Sequence, residues 1–148
     1  MNATSIAVLD TNVVLDWLLF QNPCMTPWVA ALTAGRVRWQ ASPAMRNELA
    51  HVLERGLASA RGATPQPCLA AWDRWAEMVP ALPAAPARRL HCTDPDDQMF
   101  IDLAQTQGAR WLLTRDRALL RLARRARAQG IEVSTPERWA CVDGVAGA

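Results

Sequence analysis

The sequence predicts an α/β fold, a Rossmann-like three-layer α/β/α sandwich with a central, mostly parallel sheet, on three observations. Ile6-Ala7-Val8-Leu9 and Trp111-Leu112-Leu113 are short runs without polar alternation, as a parallel strand buried on both faces requires. Segments with apolar residues at helical spacing alternate with such runs, which is the pattern of crossover connections. Acidic residues stand where the runs break, Asp10 after Leu9 and Asp116 shortly after Leu113. In open α/β sheets the crevice outside the carboxyl ends of the strands is where ligands bind.

The elements follow in order. After the first strand, Val13, Val14, Trp17 and Leu18 recur at helical spacing, which predicts a helix from about Thr11 to Phe20, ended by Asn22-Pro23. Thr26-Pro27 reads as a cap followed by first-turn proline, opening a helix to Ala34 that stops at Gly35. Arg36 to Gln40 is the second strand. Ser42-Pro43 repeats the cap-and-proline start for a helix to Arg55, stopped by Gly56. Residues 56–67 form a loop, and Cys68 to Val79 a helix burying Leu69, Trp72, Trp75 and Ala76. Pro80 to Pro86 is a connector too short to separate two domains. Asp94-Pro95-Asp96-Asp97 starts a helix carrying Met99, Phe100, Leu103 and Ala104 and ending near Gly108. Trp111 to Thr114 is a strand, Asp116 to Gln129 a helix with Leu119, Leu120, Ala123 and Ala126 on its apolar stripe, and Ile131 to Ser134 the last strand.

With 148 residues, 51% of them hydrophobic, the chain can bury one sizeable core, and a single domain over 1–148 is expected. No apolar stretch reaches the length of a membrane span and Met1 to Ser5 has no basic start, so a cytoplasmic protein is expected. Cys24, Cys68, Cys92 and Cys141 are scattered, and neither His51 nor His91 stands at zinc-ligand spacing from them. Reduced, mostly buried thiols are the reading. Every basic residue is Arg and Ala is abundant, a compositional bias that removes any weight from the choice of Arg itself. The net charge of +2 carries no conclusion about nucleic acid, but Arg115, Arg117, Arg121, Arg124, Arg125 and Arg127 crowd one segment.

Asp10, Glu48, Asp97 and Asp116 are the candidate site residues. Each has an ordinary alternative. Asp10 and Asp116 suit helix N-caps. Glu48 falls at the margin of the stripe made by Met45, Leu49, Val52 and Leu53, where pairing with Arg46 or Arg55 would also satisfy it. Asp94 fits an N-cap and Asp97 the third helical position, where acids favour the helix dipole. Yet three acids in four residues exceed what a cap needs, and Asp97 is the assignment, with Asp94 and Asp96 as alternates. Asp10 and Asp116 follow strands while Glu48 and Asp97 ride helices returning across the same sheet, so one shared site explains all four. Clustered carboxylates need a cation or protons to coexist, and oxygen-only ligands point to Mg²⁺ or Mn²⁺. Arg115 and Arg117 flank Asp116, where a phosphate backbone approaching a metal would lie, and are the candidates to contact it. The other arginines read as a solvated helix face, and the seven Trp residues as core rather than a base-stacking platform.

Four motifs in this order resemble the PIN-domain nucleases, in particular the toxins of bacterial toxin–antitoxin pairs. They are Val8-Leu9-Asp10-Thr11-Asn12; Ser42-Pro43 leading to Glu48-Leu49 and Val52-Leu53; Asp94-Pro95-Asp96-Asp97-Gln98-Met99-Phe100; and Leu113-Thr114-Arg115-Asp116 with Leu119-Leu120. The resemblance covers Val8 to about Trp139. It implies that Asp10, Glu48, Asp97 and Asp116 bind the divalent metal and carry catalysis, supported by Asn12, Thr114 and Asp94. Gln98 departs from the Asn common in this subgroup. The resemblance further implies metal-dependent hydrolysis of phosphodiesters in single-stranded RNA, a separately encoded antitoxin protein, and a homodimer.

Two other classes compete. A catalytically silent PIN-fold module binding RNA or protein has no reason to keep mutually repelling acids. A phosphohydrolase with an Asp10 nucleophile wants a second Asp two residues on, where Asn12 stands.

Overall fold

A computed structural model describes residues 4–57, 62, 64–80 and 85–140. At its centre lies strand β1 (Ser5–Leu9), flanked by β2 (Val37–Ala41) on one side and β4 (Trp111–Leu113) on the other. β3 (Glu77–Met78) lies outside β2 and β5 (Glu132–Ser134) outside β4, and every pairing is parallel. Consecutive strand residues point to opposite faces. Ala7, Val8 and Leu9 are all buried, as are Trp111, Leu112 and Leu113, so the sheet centre is covered on both sides. This is the α/β architecture the apolar runs predict.

The chain builds outward from β1 through β2 to β3, then crosses back to place β4 on the opposite side of β1. That reversal opens a crevice between the carboxyl ends of β1 and β4. Leu9 is in register with Leu113, and the Asp10 N–H donates to the Leu113 carbonyl at 3.1 Å, so Asp10 and Thr114 stand side by side at its mouth.

Eight α-helices are described: α1 (Thr11–Leu18), α2 (Thr26–Thr33), α3 (Pro43–Val52), α4 (Gln66–Trp75), α5 (Gln98–Gln107), α6 (Arg117–Leu120), α7 (Ala123–Arg127) and α8 (Pro136–Ala140). Six of the seven tryptophans form a continuous edge-to-face chain through the interior. From Trp72 it passes to Trp39 (4.7 Å between centroids), Trp17 (5.2 Å), Trp28 (5.9 Å), Trp139 (5.9 Å) and Trp111 (5.8 Å). These are the spacings and tilts that aromatic quadrupoles favour. The indoles therefore link α4, β2, α1, α2, α8 and β4 as packing elements.

Several expectations are corrected. The helix expected over Cys68 to Val79 runs from Gln66 to Trp75, because Ala76 turns extended (ψ 134°) and Glu77–Met78 pairs with Gln40–Ala41 as a strand. Both β3 residues are exposed, so no apolar alternation announces it. The helix expected over Asp116 to Gln129 is broken into α6 and α7. The Leu122 N–H bonds back only three residues, to the Leu119 carbonyl at 2.9 Å, a tightened turn that brings Leu119, Leu122 and Ala126 to the core. Leu120 and Ala123, expected on the buried stripe, are only half-buried.

The helix expected to reach Arg55 is regular only to Val52, and a wide turn carries it to Leu57 through Gly56 at φ +104°. Thr26 does not act as a cap. Asn22 Oδ1 instead accepts from the Cys24 N–H at 3.0 Å and caps a 3-10 turn, Pro23–Met25, that runs into α2. Asp94 likewise caps the 3-10 turn Pro95–Asp97 that precedes α5. α1 closes at Leu18, two residues early, and the remaining strand ends shift by a residue, as such boundaries do. α8 matches no expected element; its Trp139 is buried between Trp28 and Trp111. Parts of the expected loop over 56–67 and of the Pro80 to Pro86 connector, and Cys141, fall outside the described residues. Cys24, Cys68 and Cys92 are free thiols. Among the described residues no helix is long and apolar enough to cross a membrane.

Trp28 sits at the middle of the indole chain with 1% exposure. Trp28→Ala is expected to lower unfolding free energy by about 3–5 kcal/mol in urea titration. A loss below about 1 kcal/mol would show that the chain is not a packing spine.

Candidate metal centre

Asp10 leaves β1 in extended conformation and begins α1. Its Oδ1 accepts from the Val13 N–H at 3.0 Å and its Oδ2 accepts from the Thr114 hydroxyl. Capping and site roles therefore coincide in one carboxylate. The same Thr114 hydroxyl accepts from the Asp116 N–H at 2.9 Å, and Asp116 Oδ1 accepts from the Ala118 N–H at 2.8 Å to cap α6. One fully buried threonine side chain thus fixes the two strand-end acids relative to each other.

Glu48, on the inner margin of α3, is half-buried and accepts a hydrogen bond from the Thr11 hydroxyl. Its expected alternative partner Arg46 is committed elsewhere, to Asp73 at 2.7 and 2.8 Å. Asp97 is brought in at the junction of the 3-10 turn and α5. Asp10, Thr11, Asn12, Glu48, Val52, Asp97, Phe100 and Asp116 line a single cleft of about 110 Å³. One oxygen from each of Asp94, Asp97 and Asp116 lies within 4.8 Å of the others. Asp10 and Glu48 share the cleft but stand outside that trio, and Asp96 is exposed and belongs to neither set.

The electrostatics of this grouping are unfavourable to bare carboxylates. Burial pushes the Asp10 carboxyl above its usual range, against the lowering effect of the Thr114 and Val13 hydrogen bonds. Asp97 is pushed up to about 8, first by burial and then by the adjoining carboxylates of Asp116, Asp94 and Asp10. Its Oδ2 is buried with no hydrogen-bond partner among the described residues. A cation at this point would satisfy that oxygen and neutralise the repulsion together. The donors are all carboxylate oxygens and suit a hard divalent ion. Asp97, Asp116 and Asp94 would hold it, with Asp10 and Glu48 facing the same cleft.

The segment carrying Asp94 and Asp97 is itself held. The Gln98 side-chain Oε1 accepts from the Cys92 N–H at 2.7 Å, while its Nε2 donates to the Leu90 carbonyl at 2.8 Å and to Asp102 at 2.9 Å. The residue at which this chain departs from the subgroup's Asn is therefore the one that pins the approach to the acidic turn.

A family model described as PIN domain matches residues 7–118. The chain belongs to the PIN domain family. Among curated proteins, none matches the chain. PIN domains are typically nucleases and usually use divalent metals, and the matched segment of this PIN domain chain contains all of Asp10, Glu48, Asp94, Asp97 and Asp116. Half of α6, and all of α7, β5 and α8, lie beyond its end.

The two arginines beside Asp116 differ. Arg117 is exposed on the first turn of α6 and has no ion pair among the described residues. Arg115, half-buried, is held in a clamp, with Nε on Asp16 at 2.7 Å and both terminal nitrogens on Glu137 at 2.9 and 2.7 Å. Nη2 also reaches the Cys24 sulfur at 3.2 Å. Its guanidinium ties α1 and α8 to the strand end between Thr114 and Asp116, a bracing role that competes with the phosphate contact expected of it. Thr11 had no expected role, although a hydroxyl directly after Asp10 was the available signal.

The Asp97 shift has a consequence for stability. In an unfolded chain this carboxyl ionises near 3.8, whereas the folded group ionises near about 8. Between those values the folded state keeps a proton that the unfolded state has released, so the contribution is full below the lower value and is lost as pH rises through the upper one. In EDTA, wild type is expected to lose stability relative to Asp97→Asn as pH rises from about 4 to about 8. Added Mg²⁺ or Mn²⁺ should reverse the order at the upper end, because only wild type keeps the carboxylate. Denaturation midpoints that run parallel in the two proteins would contradict the assignment.

Proposed function

We propose that this protein is a divalent-metal-dependent endoribonuclease that hydrolyses phosphodiester bonds of single-stranded RNA, and that it is the toxin of a toxin–antitoxin pair. The observation that carries the reading is the convergence of Asp10, Glu48, Asp97 and Asp116 on one cleft at the β1/β4 crevice, with the Asp97 oxygen left without a partner. Mg²⁺ or Mn²⁺ is the ion its oxygen donors favour. The motif resemblance supports the RNA substrate, the separately encoded antitoxin and a homodimer.

The chain's own residues divide the work. Thr114 and the Val13 N–H hold Asp10, and Thr114 with the Ala118 N–H holds Asp116, so both carboxylates are oriented before any ligand arrives. Thr11 keeps Glu48 turned into the cleft. Asp97, with its raised pKa, carries a proton at neutral pH in the free site and gives it up when a cation is taken. Arg117, exposed beside Asp116, is the guanidinium available to a phosphate approaching the cleft, and Asn12 lines its wall. The chemistry a divalent cation supplies in such a site is activation of water and neutralisation of charge on the phosphoryl and leaving oxygens.

Wild type is expected to cleave single-stranded RNA in Mg²⁺ or Mn²⁺ and not in EDTA. Asp10→Asn and Asp116→Asn, which keep the shape and the capping oxygen, should lower the rate by about 10²-fold or more with folding retained by circular dichroism. Unchanged cleavage in both variants would remove the carboxylates from catalysis. Metal binding without cleavage would favour a highly selective toxin whose RNA is not the one supplied, and absence of both would favour a silent binding module.

A further inference from the structure

A groove of about 860 Å³, larger than the carboxylate cleft of about 110 Å³, runs along the outer side of β5. Its floor is partly apolar, with Leu120, Ala123 and Val133 among its residues. Arg110, Arg127 and Arg138 also line it, against one acid, Glu132, which is paired with Arg127 at 3.2 Å. β5 ends the sheet, so among the described residues no strand covers its far side.

The hydrogen-bond pattern says which backbone groups that side presents. The Glu132 N–H donates to the Arg110 carbonyl at 2.7 Å, and the Ser134 carbonyl accepts from the Thr114 N–H at 2.9 Å. Alternate residues of a parallel strand turn to opposite neighbours. Glu132 and Ser134 face β4, so Val133 between them directs its N–H and C=O outward into the groove.

Three occupants suit an open strand edge of this kind, and the chemistry separates them. A single-stranded nucleic acid wants exposed aromatic faces beside its cations. The groove's one aromatic residue, Trp111, is 3% exposed and has the Arg110 guanidinium over its ring at 4.5 Å. A second copy of this edge would bring a matching set of arginines against the first, and like charges on an edge are a device against self-pairing. A peptide in extended form supplies the missing backbone partners, and acidic side chains on it meet the cationic rim. We propose that the open edge of β5 is a docking site for an extended acidic segment of a partner protein, which joins the sheet as an additional strand. The site is separate from the carboxylate cleft and stands whether or not the chain cleaves RNA.

The test uses the full chain and a synthetic peptide alternating valine and glutamate, followed by fluorescence anisotropy and by backbone amide shifts. Saturable binding is expected, with the Val133 amide among the largest shifts and the cleft residues unmoved. Arg138→Glu, at an exposed position with no ion pair among the described residues, should weaken binding by about tenfold. The same peptide N-methylated at alternate residues, which removes its strand-pairing donors, should not bind, and neither should its lysine-for-glutamate counterpart. The proposal is overturned if the Val133 amide does not respond to the peptide. It is equally overturned if single-stranded oligouridylate produces that response in the peptide's place, or if raising the protein concentration alone does, which would mark a contact between copies.

Discussion

Holding like charges together at the end of a hydrophobic sheet is the constraint around which this molecule is arranged. Burial, and then the neighbouring carboxylates, raise the pKa of Asp10 and Asp97, and the cost of that proximity must be offset by structure that cannot relax away from it. The offset begins with the Thr114 hydroxyl, which donates a hydrogen bond to Asp10 and accepts one from the Asp116 N–H. Because Thr114 continues β4 and Asp10 continues β1, the register of two buried strands becomes the spacing of two carboxylates.

Rigidity behind the crevice comes from packing. The indole chain from Trp72 to Trp111 runs through both helical and strand elements, so displacement of any one is resisted by close-packed neighbours. Arg115 adds a polar brace at the rim by joining Asp16 and Glu137 across the strand end. Gln98 does the same for the acidic turn, fastening residues 90–92 to α5. These devices act on the backbone that carries the acids, leaving the carboxylate oxygens themselves facing the cleft.

What the sequence disclosed and what it withheld follow from the range over which each signal acts. Asp10 and Asp116 were legible because an apolar run that stops at an acid is a local pattern, and a buried parallel strand leaves few other readings. Glu48 was legible from its angle on a helix. The break at Arg121–Leu122 was not, because Leu119, Leu120, Ala123 and Ala126 keep an unbroken helical period and only the packing of Leu122 decides between them. β3 is two exposed residues whose strand identity exists only in their pairing with β2. Arg115 looked like a phosphate ligand beside Asp116; its partners lie 99 and 22 residues away in sequence, and no local pattern names them. The place of Thr11 directly after Asp10 is a local sign of a site residue, but nothing local names its partner Glu48 on another helix.

The claim on which the account rests is that the acidic cleft is a cation site which stores a proton when empty. Titration of the full chain with Mn²⁺ in buffers of different ionisation enthalpy counts the protons released as the ion binds. Release of about one proton per ion is expected at neutral pH, falling toward none well above the Asp97 pKa of about 8. Binding that releases no proton at neutral pH, or no binding at all, would contradict it.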